Sequence, residues 1–165
     1  EERVEHCFLG AARCLADRRF LLGGAGGEGK PMPENVRRIG HVGTRDHNAF
    51  NVTPKAVLNV SRIGMARNGF SPATRVFEAA GAGACLVTDA WEGIELFLKP
   101  GEEVLVARDG REVADLLDGL DEQRAEAIGR RARERILAEH TYENRARKAD
   151  RLFHRLMDAR AESPA

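Results

Sequence analysis

Two short apolar runs, Ala56-Val57-Leu58-Asn59-Val60-Ser61 and Cys85-Leu86-Val87-Thr88, flank a turn-rich stretch and the segment Ser71-Pro72-Ala73-Thr74-Arg75-Val76-Phe77-Glu78-Ala79-Ala80-Gly81. Each run fits a short strand, and the near-continuous apolarity of the first fits one buried on both faces. Residues 62–73, with Gly64, Gly69 and Pro72, read as a loop. Ser71 as N-cap and Pro72 at the first helical position then start a helix over about Ala73 to Ala82. Strand, helix and strand in that order make a βαβ unit with parallel strands.

The same alternation extends outward. Val4, Cys7, Phe8, Ala11, Ala12 and Leu15 recur at helical spacing and predict an amphipathic helix over about 2–18. Phe20-Leu21-Leu22, closed by Gly23-Gly24, predicts a strand, Val36 to Val42 a second, and 46–54 a short helix or turn closed by Pro54. Beyond Thr88 the pattern predicts a short helix at Gly93–Leu98 and a strand at Val104-Leu105-Val106. Helices follow at about 111–119, 121–138 and 142–160. The fold class is therefore α/β, a Rossmann-like parallel sheet with helices on both faces. Ligands of such sheets bind beyond the carboxyl ends of the strands, which points to 23–34, 41–49, 62–75 and 88–93.

Composition narrows the function. The chain of 165 residues suits one domain and carries 26 cationic against 26 acidic side chains. That neutrality excludes a generic polyanion binder, and no apolar run is long enough to span a bilayer. The charge is unevenly placed, however. Residues 30–75 hold Lys30, Arg37, Arg38, Arg45, Lys55, Arg62, Arg67 and Arg75 against only Glu34 and Asp46, together with His41 and His47. A local anion site is the sharper reading of that block. Cys7, Cys14 and Cys85 match no zinc spacing and read as small core residues of a reducing compartment.

Several motifs are decoys. Gly24-Ala25-Gly26-Gly27-Glu28-Gly29-Lys30 fits the lettering of both the dinucleotide fingerprint and the phosphate loop. Pro31 stands where a phosphate loop needs Ser or Thr, and Pro31-Met32-Pro33 prevents the helix that both motifs must open. A mobile glycine-rich loop over a nearby ligand is the better reading. Asn51-Val52-Thr53 and Asn59-Val60-Ser61 fit the glycosylation sequon, but Asn59 falls inside a buried strand, and both triplets are noise.

The chemistry concentrates at 62–78. Arg62, Arg67 and Arg75 bracket the predicted helix start, whose free N–H groups and positive dipole end suit a phosphate or diphosphate. Glu78, one turn further in, can accept hydrogen bonds from vicinal hydroxyls such as those of a ribose. A plain Arg75–Glu78 ion pair is the simpler alternative for that spacing.

These residues resemble the carboxyl-terminal, donor-binding half of two-domain GT-B glycosyltransferases, and most closely the glycosyl transferase group 1, CgeB-like (spore-protein-type) family. The resemblance is carried by Arg19 to Gly24, Asn35 to Val42, Asp46-His47-Asn48, Leu58-Asn59-Val60, Ser71 to Gly81 and Thr88 to Gly93, and covers about residues 1–157. It implies a nucleotide-sugar donor held without a metal or other cofactor. Glu78 falls on the second Glu of the family's E-x7-E motif, while the first falls on Phe70, with Asn68 or Gly69 nearest if the spacing differs by one residue.

It further implies that Ser71, Pro72, Ala73 and Thr74 hold the diphosphate. Gly40, His41 and Val42 would line the base pocket, Gly23 and Gly24 would also be binding residues, and Asp89 to Gly93 would face the donor sugar and acceptor. Arg62, Arg67 and Arg75 take the catalytic role of stabilising the departing diphosphate.

The domain organisation implied is a nucleotide-sugar-binding domain at 1–140 and a crossover helix at 141–160. An amino-terminal acceptor domain and a first strand would be missing from this chain, which would be inactive alone. The acceptor is unspecified, no nucleic acid is involved, and the location implied is cytoplasmic. Two alternatives are a catalytically inactive nucleotide-binding regulatory module and an NAD-binding oxidoreductase domain.

Overall fold

The computed structural model describes residues 2–24, 29 and 31–161. A π-helical stretch, Val4–Leu9, runs directly into helix α1 (Gly10–Cys14). The helix stops short of the predicted 18 because Asn35 Nδ2 donates to the carbonyls of Ala12, Leu15 and Arg18 at 2.9, 2.9 and 3.0 Å. The Asn35 amide thus caps carbonyls left without an intrahelical donor where the helix ends.

Strand β1 (Phe20–Gly23) pairs in parallel with β2 (Val36–Gly40), Phe20 opposite Val36. A 3-10 turn at Thr44–Asp46 leads into α2 (His47–Val52). After β3 (Val57–Asn59) comes a helix where a loop was expected, α3 (Ile63–Asn68). Ala66 packs it on the core, and Gly69 at φ +65° ends it. Helix α4 (Thr74–Ala82) is followed by β4 (Leu86–Asp89), a 3-10 turn at Ile94–Leu96, and β5 (Leu105–Ala107). Helices α5 (Gly110–Asp118), α6 (Glu122–Glu139) and α7 (Tyr142–Ala161) complete the described chain.

Every strand pairing is parallel, as βα alternation requires, with β4 between β3 and β5. Successive strand residues face opposite sides. Leu86 joins Val57, Val76, Ala80 and Ile136 under α4 and α6. Cys85 and Val87 join Ala11, Leu105 and Val113 under α1 and α5. Helices therefore cover both faces of the three-stranded sheet, as predicted. The ladder is in two parts, however: β1–β2 and β3–β4–β5 are separate sheets. Between them lies a cavity of about 780 Å³, walled by Phe8, Leu21, Leu22, Val57, Leu58 and Val60 among others.

Two of the three cysteines, Cys7 and Cys85, are buried, and all three are free thiols. Burial raises the Cys85 thiol to about 11. Cys14 is exposed rather than in the core, because its helix turns that face to solvent.

Helix α7 docks by its first turns: the Arg145 guanidinium lies 4.2 Å over the Phe77 ring, and Asn144 Nδ2 donates to the Ala138 carbonyl at 2.8 Å. Further along, Leu152, Phe153, Leu156 and Met157 are exposed.

Candidate functional site

Helix α4 begins at Thr74, within a residue of the expected start, but Ser71 is not its cap. Ala73 holds the cap position with extended backbone (φ −66°, ψ 146°), and no side chain caps the helix. The physical cause lies just upstream. Phe70 N–H donates to the Glu92 carbonyl at 2.6 Å, and Ser71 to Ala73 run out from that anchor as irregular backbone before the first turn closes. The α4 N–H groups at Thr74 and Arg75 consequently have no side-chain acceptor and stay free for a ligand.

Arg75 sits in this first turn, exposed, and lines the cavity between the sheets together with Gly23, Phe50 and Val60. Arg62 caps α3 and Arg67 occupies its last turn, both exposed and about 7 Å apart along the helix axis. None of the three arginines has a hydrogen-bond or ion-pair partner among the described residues. The simpler Arg75–Glu78 pair therefore does not form.

Glu78 faces His47 instead, with Oε2 3.9 Å from Nδ1. Both side chains are half-exposed, so the carboxylate keeps room for further donors. His47 opens α2, and Phe50, on the same face one turn later, meets Gly23: a Cβ there would lie 3.0 Å from the Phe50 ring. Val42 closes the other side of Gly23, and Gly24 N–H donates to the Gly40 carbonyl at 2.7 Å. The structure thus gathers Gly23, Gly24, Gly40 and Val42 at the ends of β1 and β2, with His41 exposed beside them. Helix α2 connects this group to Glu78.

Sequence reasoning missed His47 as a partner of Glu78. The signals available were its place in the basic block and in Asp46-His47-Asn48. The Ala25–Glu28 and Lys30 part of the glycine-rich loop lies outside the described residues. Beyond it the chain enters β2 at Val36 with no intervening helix, as Pro31 and Pro33 dictate.

Asp89 does not face the site. Its side chain is 0% exposed and turned inward from the end of β4. Its Oδ1 accepts the Ser61 N–H at 3.0 Å and the Ser61 hydroxyl at 2.9 Å. Its Oδ2 accepts both Nε, at 2.9 Å, and a terminal nitrogen of Arg3. A carboxylate at zero exposure needs those partners, and they occupy its lone pairs. The role of Asp89 is to tie the β3 and β4 loops to the first helix beneath the site. Thr88 extends the network, receiving hydrogen bonds from Asn59 Nδ2 at 3.2 Å and Trp91 Nε1 at 3.3 Å. Burial, reinforced by the charge of Asp89, pushes the nearby Cys7 thiol up.

Gly93 sits on the rim, at φ +97°. A Cβ there would come within 2.5 Å of the Phe70 ring, so only glycine fits beneath that side chain.

A family model described as glycosyl transferase-like matches residues 3–151. No curated protein matches significantly. Among solved structures, sucrose-phosphate synthase from Thermosynechococcus elongatus superposes with a TM-score of 0.65 at 18% identity, over 96% of this chain and 44% of that one. AviGT4, a glycosyltransferase involved in avilamycin A biosynthesis, superposes with a TM-score of 0.53 at 23% identity, over 74% of this chain and 40% of that one. At those identities the likeness is one of fold, and the chain spans less than half the length of either structure. Among the described residues no helix is long and apolar enough to cross a membrane.

Proposed function

This chain belongs to the glycosyl transferase-like family, and on that premise we propose that it is the donor-binding half of a nucleotide-sugar-dependent glycosyltransferase of the CgeB-like kind. One observation carries the reading. The uncapped first turn of α4, with the unpartnered Arg75 in it, lies one turn from the half-exposed carboxylate of Glu78. That spacing suits a diphosphate followed by a ribose: the N–H groups and arginine hold the anion, and the carboxylate accepts from the sugar hydroxyls.

In the reaction the bond between the donor sugar's anomeric carbon and the diphosphate oxygen breaks, and an acceptor oxygen or other nucleophile takes that carbon. The electron pair leaves with the diphosphate. The α4 N-terminus and Arg75, with Arg62 and Arg67 from α3, stabilise this developing charge, the task a divalent cation performs in other enzymes. Base and donor sugar would lie to either side, the base against Gly23, Gly24, Gly40, His41 and Val42. The acceptor and any general base would come from an amino-terminal domain. A strand preceding the first helix would fill the cavity between β1 and β3, and the exposed apolar residues of α7 would pack on the same domain.

Isothermal titration of the chain with UDP, GDP and NAD tests this. One nucleoside diphosphate is expected to bind, with the affinity abolished in Glu78→Ala and Arg75→Ala. Preference for NAD would refute it. Phe70, standing where the family's first Glu is expected, favours one second reading, a binding module without transferase activity. Full transfer by the intact protein would dismiss that alternative.

A further inference from the structure

Phe70 is the only non-glycine residue with positive φ among the described residues, at +50°. A bulky side chain is strained there, and such strain persists only where the surroundings impose it. The surroundings do so: the Phe70 N–H is held by the Glu92 carbonyl, and its ring lies against the bare backbone of Gly93. Burial of the ring does not compensate, because Phe70 is 56% exposed. The fold thus holds an aromatic ring in a costly conformation, one side against a glycine, with most of its surface open to solvent.

Its position is informative. Ser71 to Phe77 separate it from Glu78, and the first turn of α4 lies among them. Glu78 lies toward α2 and His47, whereas Phe70 lies toward the loop beyond β4. A ligand with its diphosphate on the first turn of α4 and its ribose at Glu78 has its remaining sugar on the Phe70 side.

We propose that Phe70 is a specificity-determining residue whose ring stacks on the apolar C–H face of the transferred sugar. This inference rests on the nucleotide-sugar reading of the site. A carboxylate at this position would grip hydroxyls. An aromatic ring instead selects a donor sugar by its apolar face, and it is tolerant of the hydroxyl pattern at the edges.

The test is calorimetric titration of the 165-residue chain with UDP, GDP, UDP-glucose and GDP-mannose, in the parent and in Phe70→Asn, Phe70→Gly and Phe70→Tyr. Asn and Gly both tolerate the left-handed region, so they remove the ring without displacing the backbone. Both are expected to lose about threefold to tenfold in affinity for the nucleotide sugar, the scale of one aromatic contact, with the bare diphosphate unchanged. Phe70→Tyr is expected to match the parent. Equal losses for diphosphate and nucleotide sugar, or no loss in either variant, would overturn the proposal while leaving the donor site intact. Failure of the parent to bind any of the four ligands would overturn the donor-site reading and this inference with it.

Discussion

Replacing Asp89 by Ala separates the structural account of this residue from a ligand-binding one. The carboxylate is wholly buried and accepts hydrogen bonds from the Ser61 N–H, the Ser61 hydroxyl and the Arg3 guanidinium. Ser61 is itself only 4% exposed, so its N–H would be left without an acceptor, at about 1–3 kcal/mol. Breaking a buried charge pair costs about 3–5 kcal/mol. The Arg3 side chain is 29% exposed and recovers some hydration, which places the expected loss near the lower end, about 3 kcal/mol. For a chain of this size that is a fall in Tm of roughly 6–12 °C. Asp89→Asn keeps an acceptor for Ser61 and loses only the charge, so its fall is expected to be smaller. Differential scanning calorimetry of both variants and of Arg3→Ala reads these values. A melt unchanged in Asp89→Ala, with nucleotide binding abolished, would contradict the structural role and return Asp89 to the site.

Two further outcomes follow from packing and burial. Gly129→Ala replaces a helix-interior glycine and would gain about 1 kcal/mol of helix propensity. Its Cβ, however, would lie 2.1 Å from the Gly83 carbonyl oxygen where α6 crosses the end of α4. Backbone cannot swing aside, so the clash wins, and a thermal melt is expected to show net destabilisation. His140 packs against Phe77 and Phe97 at ring separations of 5.8 and 5.6 Å, and burial, with Lys148 next, lowers its pKa below the ordinary 6.5. The unfolded chain takes up the proton first, so the stability His140 contributes is full above pH 6.5 and lost as pH falls below it. Tm measured against pH is expected to slope less steeply over that acid range in His140→Phe, and an unchanged slope would contradict this.

How much of this was legible depends on the range of the interaction concerned. Strand and helix identities rest on local apolar pattern, and the short run Cys85-Leu86-Val87-Thr88 read as a strand without any knowledge of neighbours. The π-to-α helix end did not, because Asn35 stops it from across a loop. Helix α3 was hidden by Gly64 and Gly69, which read as loop although one lies inside the helix and the other ends it. Ser71-Pro72 looked like a helix start, and only the pairing of Phe70 with Glu92 shows why the turn closes later. At the site, Arg75 and Glu78 were visible because both sit on one helix. The His47 contact to Glu78 joins two elements and left only a weak trace in the charge pattern. Asp89 read as a ligand residue because the family resemblance puts Asp89 to Gly93 beside the donor sugar. Its burial depends on Arg3, 86 residues away. The separation of the sheets left no mark in the apolar pattern, since β1 and β3 look the same whether or not a neighbour lies beside them, and only the missing first strand that the resemblance implies points toward it.

An amide chemical-shift titration of the chain with UDP and GDP tests the donor site most directly. One of them is expected to shift the amides of Thr74 to Glu78 most strongly, with smaller shifts at Gly40 to Val42, and Glu78→Ala is expected to remove the response. Shifts absent from α4, or a response to NAD with none to either diphosphate, would contradict it.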